Sequence, residues 1–127
     1  MAHRRGPLLA ATTAAAALAL GVGWAAAQER APPAREQLAQ LAHVLGESHA
    51  LRQACAGADD QYWRSRMQSL LDVEASDERL RKRLAEAFNA GYGAAQALYP
   101  SCTAAARQQS QRLARTGRAL ANALAAP

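Results

Sequence analysis

The sequence predicts an all-α protein: a small up-down-up-down four-helix bundle stapled by one disulfide and preceded by a cleaved signal peptide. Three observations lead there. Beyond Ala34 the apolar residues recur at helical spacing, and no alternating β-branched run suggests a strand. Stop and cap residues at Gly57, Ser76, Pro100 and Thr103 divide that pattern into four segments. The two cysteines, Cys55 and Cys102, fall at segment ends that an up-down-up-down bundle places together.

The chain opens with Arg4 and Arg5, then an apolar run from Leu8 to Trp24, then Ala25, Ala26 and Ala27. This is the three-part layout of a secretory signal peptide. Ala25 and Ala27 satisfy the small-x-small rule, so cleavage is expected after Ala27, leaving Gln28 as the new N-terminus. The run holds few large apolar residues among its alanines, a weak stretch for a retained membrane anchor. Residues 1–27 are therefore assigned to the signal peptide, 28–33 to a flexible lead broken by Pro32 and Pro33, and 34–127 to one helical domain. The expected location is periplasmic or secreted, and the mature chain is not expected to be an integral membrane protein.

Helix one is expected from about Ala34 to Cys55, with Leu38, Leu41, Val44, Leu45, Ser48, Leu51 and Cys55 on one face and Gly57 as its stop. Asp59 or Asp60 can cap helix two, about Gln61 to Glu74, whose stripe is Trp63, Met67, Leu70, Leu71 and Glu74. Ser76 is the expected cap of helix three, and Asp77 and Glu78 suit its positive first turn. That helix continues through Leu80, Leu84, Phe88, Gly91 and Ala95 to Tyr99, where Pro100 ends it. Gly91 and Gly93 lie in its interior, each at about 1 kcal/mol against alanine, which suggests that a neighbour comes close. Thr103 can cap helix four, which shows Leu113, Gly117, Leu120 and Leu124 on one side until it frays near Pro127.

Large apolar residues are few, so the core is thin and a staple matters. An exported chain meets an oxidising compartment, which makes a Cys55–Cys102 bridge the default. The loop-entropy relation assigns such a bridge about 4 kcal/mol.

The strings "LGESHALRQAC", "YWRSRMQSLLDVE" and "AFNAGYGAAQALYPSCT" resemble an uncharacterised family of small exported alphaproteobacterial proteins, a domain of unknown function with two well-separated cysteines. The resemblance covers roughly Leu38 to Leu120 and implies that Cys55 and Cys102 match the family's cysteine pair. It brings no catalytic residue, ligand or partner.

"GESHALRQAC", Gly46 to Cys55, holds residue types found in hydrolases and metal sites, yet its spacing is scaffold-like. Six helical residues separate His49 from Cys55 by about 9 Å of rise and roughly 240° of turn, so they cannot form an activated thiol pair. His43 and His49 are likewise six apart, and the cysteines lack close-set ligand spacing, so no metal, haem or other cofactor is expected. No catalytic residue is assigned. The stretch has a structural role instead: Arg52 falls in the apolar stripe of helix one, with His49 at its edge. A guanidinium there needs an acceptor, with Glu74 the first candidate and Glu86 the second. In antiparallel packing Glu74 aligns nearer the start of helix one, and the alternative is that Arg52 bonds carbonyls at a helix end, beside Tyr92, Tyr99 or loop groups.

Charge is segregated. After Glu86 the chain has Arg107, Arg112, Arg115 and Arg118 and no acid, and these arginines lie opposite the leucines of helix four. The first reading of this pattern is a core-facing leucine stripe with a solvated basic back, because three leucines are few for membrane insertion. The functional alternative is a face for an anionic partner, a component of the envelope or an acidic protein, with nucleic acid excluded by compartment. The sequence thus points to a small exported envelope protein that binds or supports, with a small periplasmic hydrolase using a buried acid as the alternative.

Overall fold

Pro32 and Pro33 open the first helix, where a missing N–H is harmless and the fixed φ suits the first turn. The structure is a computed structural model that describes residues 29–126. It contains α1 (Pro32–Ala56), α2 (Tyr62–Val73), α3 (Glu78–Leu98) and α4 (Ala104–Ala125), and no strand among the described residues. The expected junction at Ala27 and Gln28 lies outside the described residues, and so does the whole signal segment.

The ends follow the expected chemistry, with corrections. Gly57 takes φ 115°, a left-handed conformation that ends α1, and donates its N–H to the Gln53 carbonyl. Thr103 caps α4 by accepting from the Ala106 N–H. The cap of α3 is Asp77 and not Ser76: the Asp77 carboxylate accepts from the Leu80 N–H at 2.9 Å and pairs with Arg35. That backbone bond, then Arg35, holds the Asp77 carboxyl below the usual carboxylate range. No side chain caps Gln61 at the start of α2, but Asp60 accepts from the Tyr62 N–H at 3.1 Å.

Successive helices alternate in direction. Arg35–Asp77 and Glu36–Arg83 join the starts of α1 and α3, whereas Cys55–Cys102 and the approach of Gly117 to Val44 run α4 back along α1. They do not form a closed ring, however. α2, α3 and α4 all pack on α1, while α4 makes no close backbone approach to α2 or α3. α1 is therefore the core element, buried on nearly every side by Leu38, Ala42, Val44, Leu45, Ala50 and Leu51.

The tightest packing is between α1 and α3. A Cβ on Gly46 would stand 2.9 Å from the Tyr92 nitrogen and still closer to the Phe88 carbonyl, and one on Gly91 would meet the His43 carbonyl group. The backbones touch there, which explains a glycine inside each helix. Gly93 has open space around its missing Cβ, so the expected close neighbour exists for Gly91 alone of that pair. Around this contact sit two apolar clusters: Leu38, Ala42, Met67, Leu80, Leu84 and Phe88 toward the α2 side, and Val44, Leu51, Ala106 and Leu113 toward α4.

Cys55 and Cys102 form the disulfide, with Cα atoms 4.7 Å apart and a sequence separation of 47. It joins the end of α1 to the start of α4. No described helix is long and apolar enough to cross a membrane.

Two outcomes follow from this packing. Gly46→Ala and Gly91→Ala should each lower the unfolding free energy by about 1–3 kcal/mol, as overpacking does, whereas Gly93→Ala should raise it by up to about 1 kcal/mol; urea denaturation of the three variants checks this. Removing the bridge with Cys55→Ala and Cys102→Ala should destabilise by about 4 kcal/mol. Amide exchange should then show protection lost in α4 before α1 and α3.

Candidate functional site

The α1–α2 corner holds the residues of "GESHALRQAC". Arg52 does not reach Glu74 or Glu86. Its Nε donates to both Asp60 carboxylate oxygens at 2.8 Å, and its guanidinium lies 4.8 Å from the Tyr62 ring centroid. Arg52 is exposed, so the buried position expected from the helical wheel is corrected. The physical reason is local: the loop after Gly57 turns Asp60 back onto α1 only eight residues from Arg52. Burial alone would raise the Asp60 carboxyl, but the bonds from the Tyr62 N–H and Arg52 outweigh it and hold the group below its ordinary value. Gln53 completes the corner, donating to the Ala58 carbonyl and accepting from the Tyr92 hydroxyl at 2.7 Å.

Glu74 is buried and bonds Arg30 at 2.6 Å, at the other end of α1 from Arg52. Antiparallel packing of α2 on α1 dictates that separation. Glu86 is exposed, and Glu47 stands 3.9 Å from His43 in an i,i+4 pair. Among the described residues, no three His, Cys, Asp or Glu side chains come together to hold a metal ion.

His49 is 3 % exposed, deeper than the edge position expected, with ring centroids 5.8 Å from Phe88 and 5.4 Å from Tyr92. Its Nδ1 has no hydrogen-bond partner. Burial pushes its pKa below the ordinary 6.5, with Arg64 adding to the effect and Asp60 opposing it.

A second feature was not anticipated from the sequence. Because α2 and α4 flank α1 without meeting, a groove of about 420 Å³ opens between them. Its floor is Leu41, Val44, Leu45 and Ser48 of α1; Trp63, Arg66 and Leu70 form one wall, and Leu113, Ala114, Gly117, Arg118 and Ala121 the other. A shallower extension shares Ser48 and Trp63 and continues past Leu51, Arg52 and Arg107 to Cys55. The four arginines of α4 thus divide. Arg118 and Arg107 line the groove and its extension, while Arg112, which bonds Gln109 at 2.9 Å, and Arg115 line neither. Arg66 lies over the Tyr62 ring at 5.1 Å. Among the described residues, Arg66, Arg107 and Arg118 form no ion pair with an acid. The leucines of α4 face the core, with Leu113 buried and Leu120 and Leu124 half-buried. The signal for the groove was the run of small residues Ala114, Gly117 and Ala121 on the wall of α4, which cannot fill the space opposite Trp63 and Leu70.

A family model described as "Protein of unknown function (DUF2385)" matches residues 33–127. The chain belongs to that family. The DUF2385 segment includes the groove, the bridge and His49. No curated protein and no solved structure matches the chain.

His49 sets an acid response. Its folded pKa lies below the unfolded value of about 6.5, so the folded state binds fewer protons. Stability is full above that pH and falls as pH drops through the window beneath it. The lowered carboxyls of Asp60 and Asp77 act later, below about pH 4. His49→Phe should flatten the stability slope just below about pH 6.5 and leave the loss below about pH 4, measured by urea midpoints across pH.

Proposed function

We propose that the protein is an exported envelope protein that works by binding and not by catalysis, with the α2–α4 groove and the adjoining arginines of α4 as its binding surface. The observation that carries this is the joining of an open apolar groove to cations held on both of its walls by Arg66 and Arg118. Ligand sites have this form, an apolar lining with a few fixed polar groups that orient the bound molecule. The partner is an anionic component of the envelope or an acidic protein. Export is supported by the layered N-terminus ending at Ala27 and by the Cys55–Cys102 bridge, since disulfides persist in oxidising compartments.

Intact-mass measurement of the native protein should give a chain beginning at Gln28; a retained 1–27 segment would refute export with cleavage. A photo-crosslinking residue at Ala114, on the groove wall, should capture a partner in intact cells. The same residue at Ala94, on the exposed side of α3, should capture none. Equal capture from both positions, or none from Ala114, would refute the groove as the binding surface.

A further inference from the structure

We propose that the α2–α4 groove binds a long-chain fatty acid, with the acyl chain along the floor of α1 and the carboxylate held between Arg66 and Arg118; this rests on the groove being the binding surface. Shape argues first. The floor runs from Leu41 to Ser48, roughly 10 Å at the helical rise, and the groove above it holds about 420 Å³. A polymethylene chain lies lengthwise in a groove of that form. The volume also lies within the ordinary range for small-molecule sites, about 300–1,000 Å³.

Polarity argues second. The lining is almost wholly apolar, and its polar residues are Ser48, Arg66 and Arg118. Such a slot matches a ligand whose polarity is confined to one end. That end is anionic, because Arg66 and Arg118 carry no ion pair among the described residues and stand on opposite walls of the same groove. A carboxylate between them accepts charge-assisted hydrogen bonds from both, the geometry for which arginine forks are suited. The extension toward the disulfide offers the chain further apolar contact at Leu51, Ala56 and Trp63 and is bounded by Arg52 and Arg107.

The test uses the full chain carrying Trp24→Phe, so that Trp63 in the groove wall is the one tryptophan. A bromine-labelled long-chain fatty acid should quench Trp63 emission saturably and bind about tenfold or more tightly than the matching alcohol, the difference expected for a charged hydrogen-bond acceptor. Arg66→Gln with Arg118→Gln should abolish that preference, and Ala114→Phe should weaken both ligands by filling the slot. All three positions are exposed, so circular dichroism should report unchanged helix content. Non-saturating quenching, equal affinity for acid and alcohol, or an unchanged preference in the double arginine variant would overturn the inference. So would concentration-dependent self-association removed by Ala114→Phe, which would make a second copy the occupant. If Ala114 crosslinks an acidic protein in cells while the fatty acid fails to bind, the binding function stands and the fatty-acid assignment falls.

Discussion

The contact of two helix backbones at Gly46 and Gly91 is the constraint from which the rest of the architecture follows. With no side chain between them, α1 and α3 pack as one unit, and α3 covers one long face of α1 with Leu80, Leu84 and Phe88. The remaining faces of α1 are left to α2 and α4. Each of these finds its apolar partner on α1, so neither needs the other. A four-helix protein built around one buried helix differs in this from a ring of equivalent helices, where every neighbour closes a gap.

The tether at the far end has its meaning in that arrangement. α4 approaches the backbone of α1 alone, and its large buried side chain is Leu113, with Leu120 and Leu124 half-covered. Such a helix is held by little apolar area, and the Cys55–Cys102 link limits how far it can move when it opens. The link sits at the end of the molecule where Arg52, Gln53, Asp60 and Tyr92 also knit α1, the following loop and α3 together. One end of the groove is thereby anchored covalently.

Much of this architecture is legible in the chain. Gly57, Pro100 and Thr103 mark helix ends by local chemistry, and local chemistry does not depend on the tertiary fold. The cysteine pairing follows from compartment and helix direction. What escapes the sequence is the rank of the helices. A wheel drawn for α1 presumes one buried face, but Ala39, Ala42, Gly46 and Ala50 bury a further side through small residues that carry little hydropathy signal. The same presumption placed Arg52 in a core stripe, because a wheel contains no loop and cannot show Asp60 folding back. The groove was illegible for a related reason. Trp63 and Leu70 of α2 and Leu113 of α4 read as core residues of two helices, and only the distance between α2 and α4 shows that they line a slot.

Small side chains account for why the slot stays open. Ala114, Gly117 and Ala121 on the wall of α4 offer α2 little apolar surface to pack against, and the two helices make no close backbone approach. Exposed arginines without acid partners contribute little to folding, so the concentration of four on α4 is not explained by stability of the helix. In the proposed complex Arg66 and Arg118, one from each wall, are instead the groups that fix the occupant's charged end, so that filling the groove and neutralising its rim are one event.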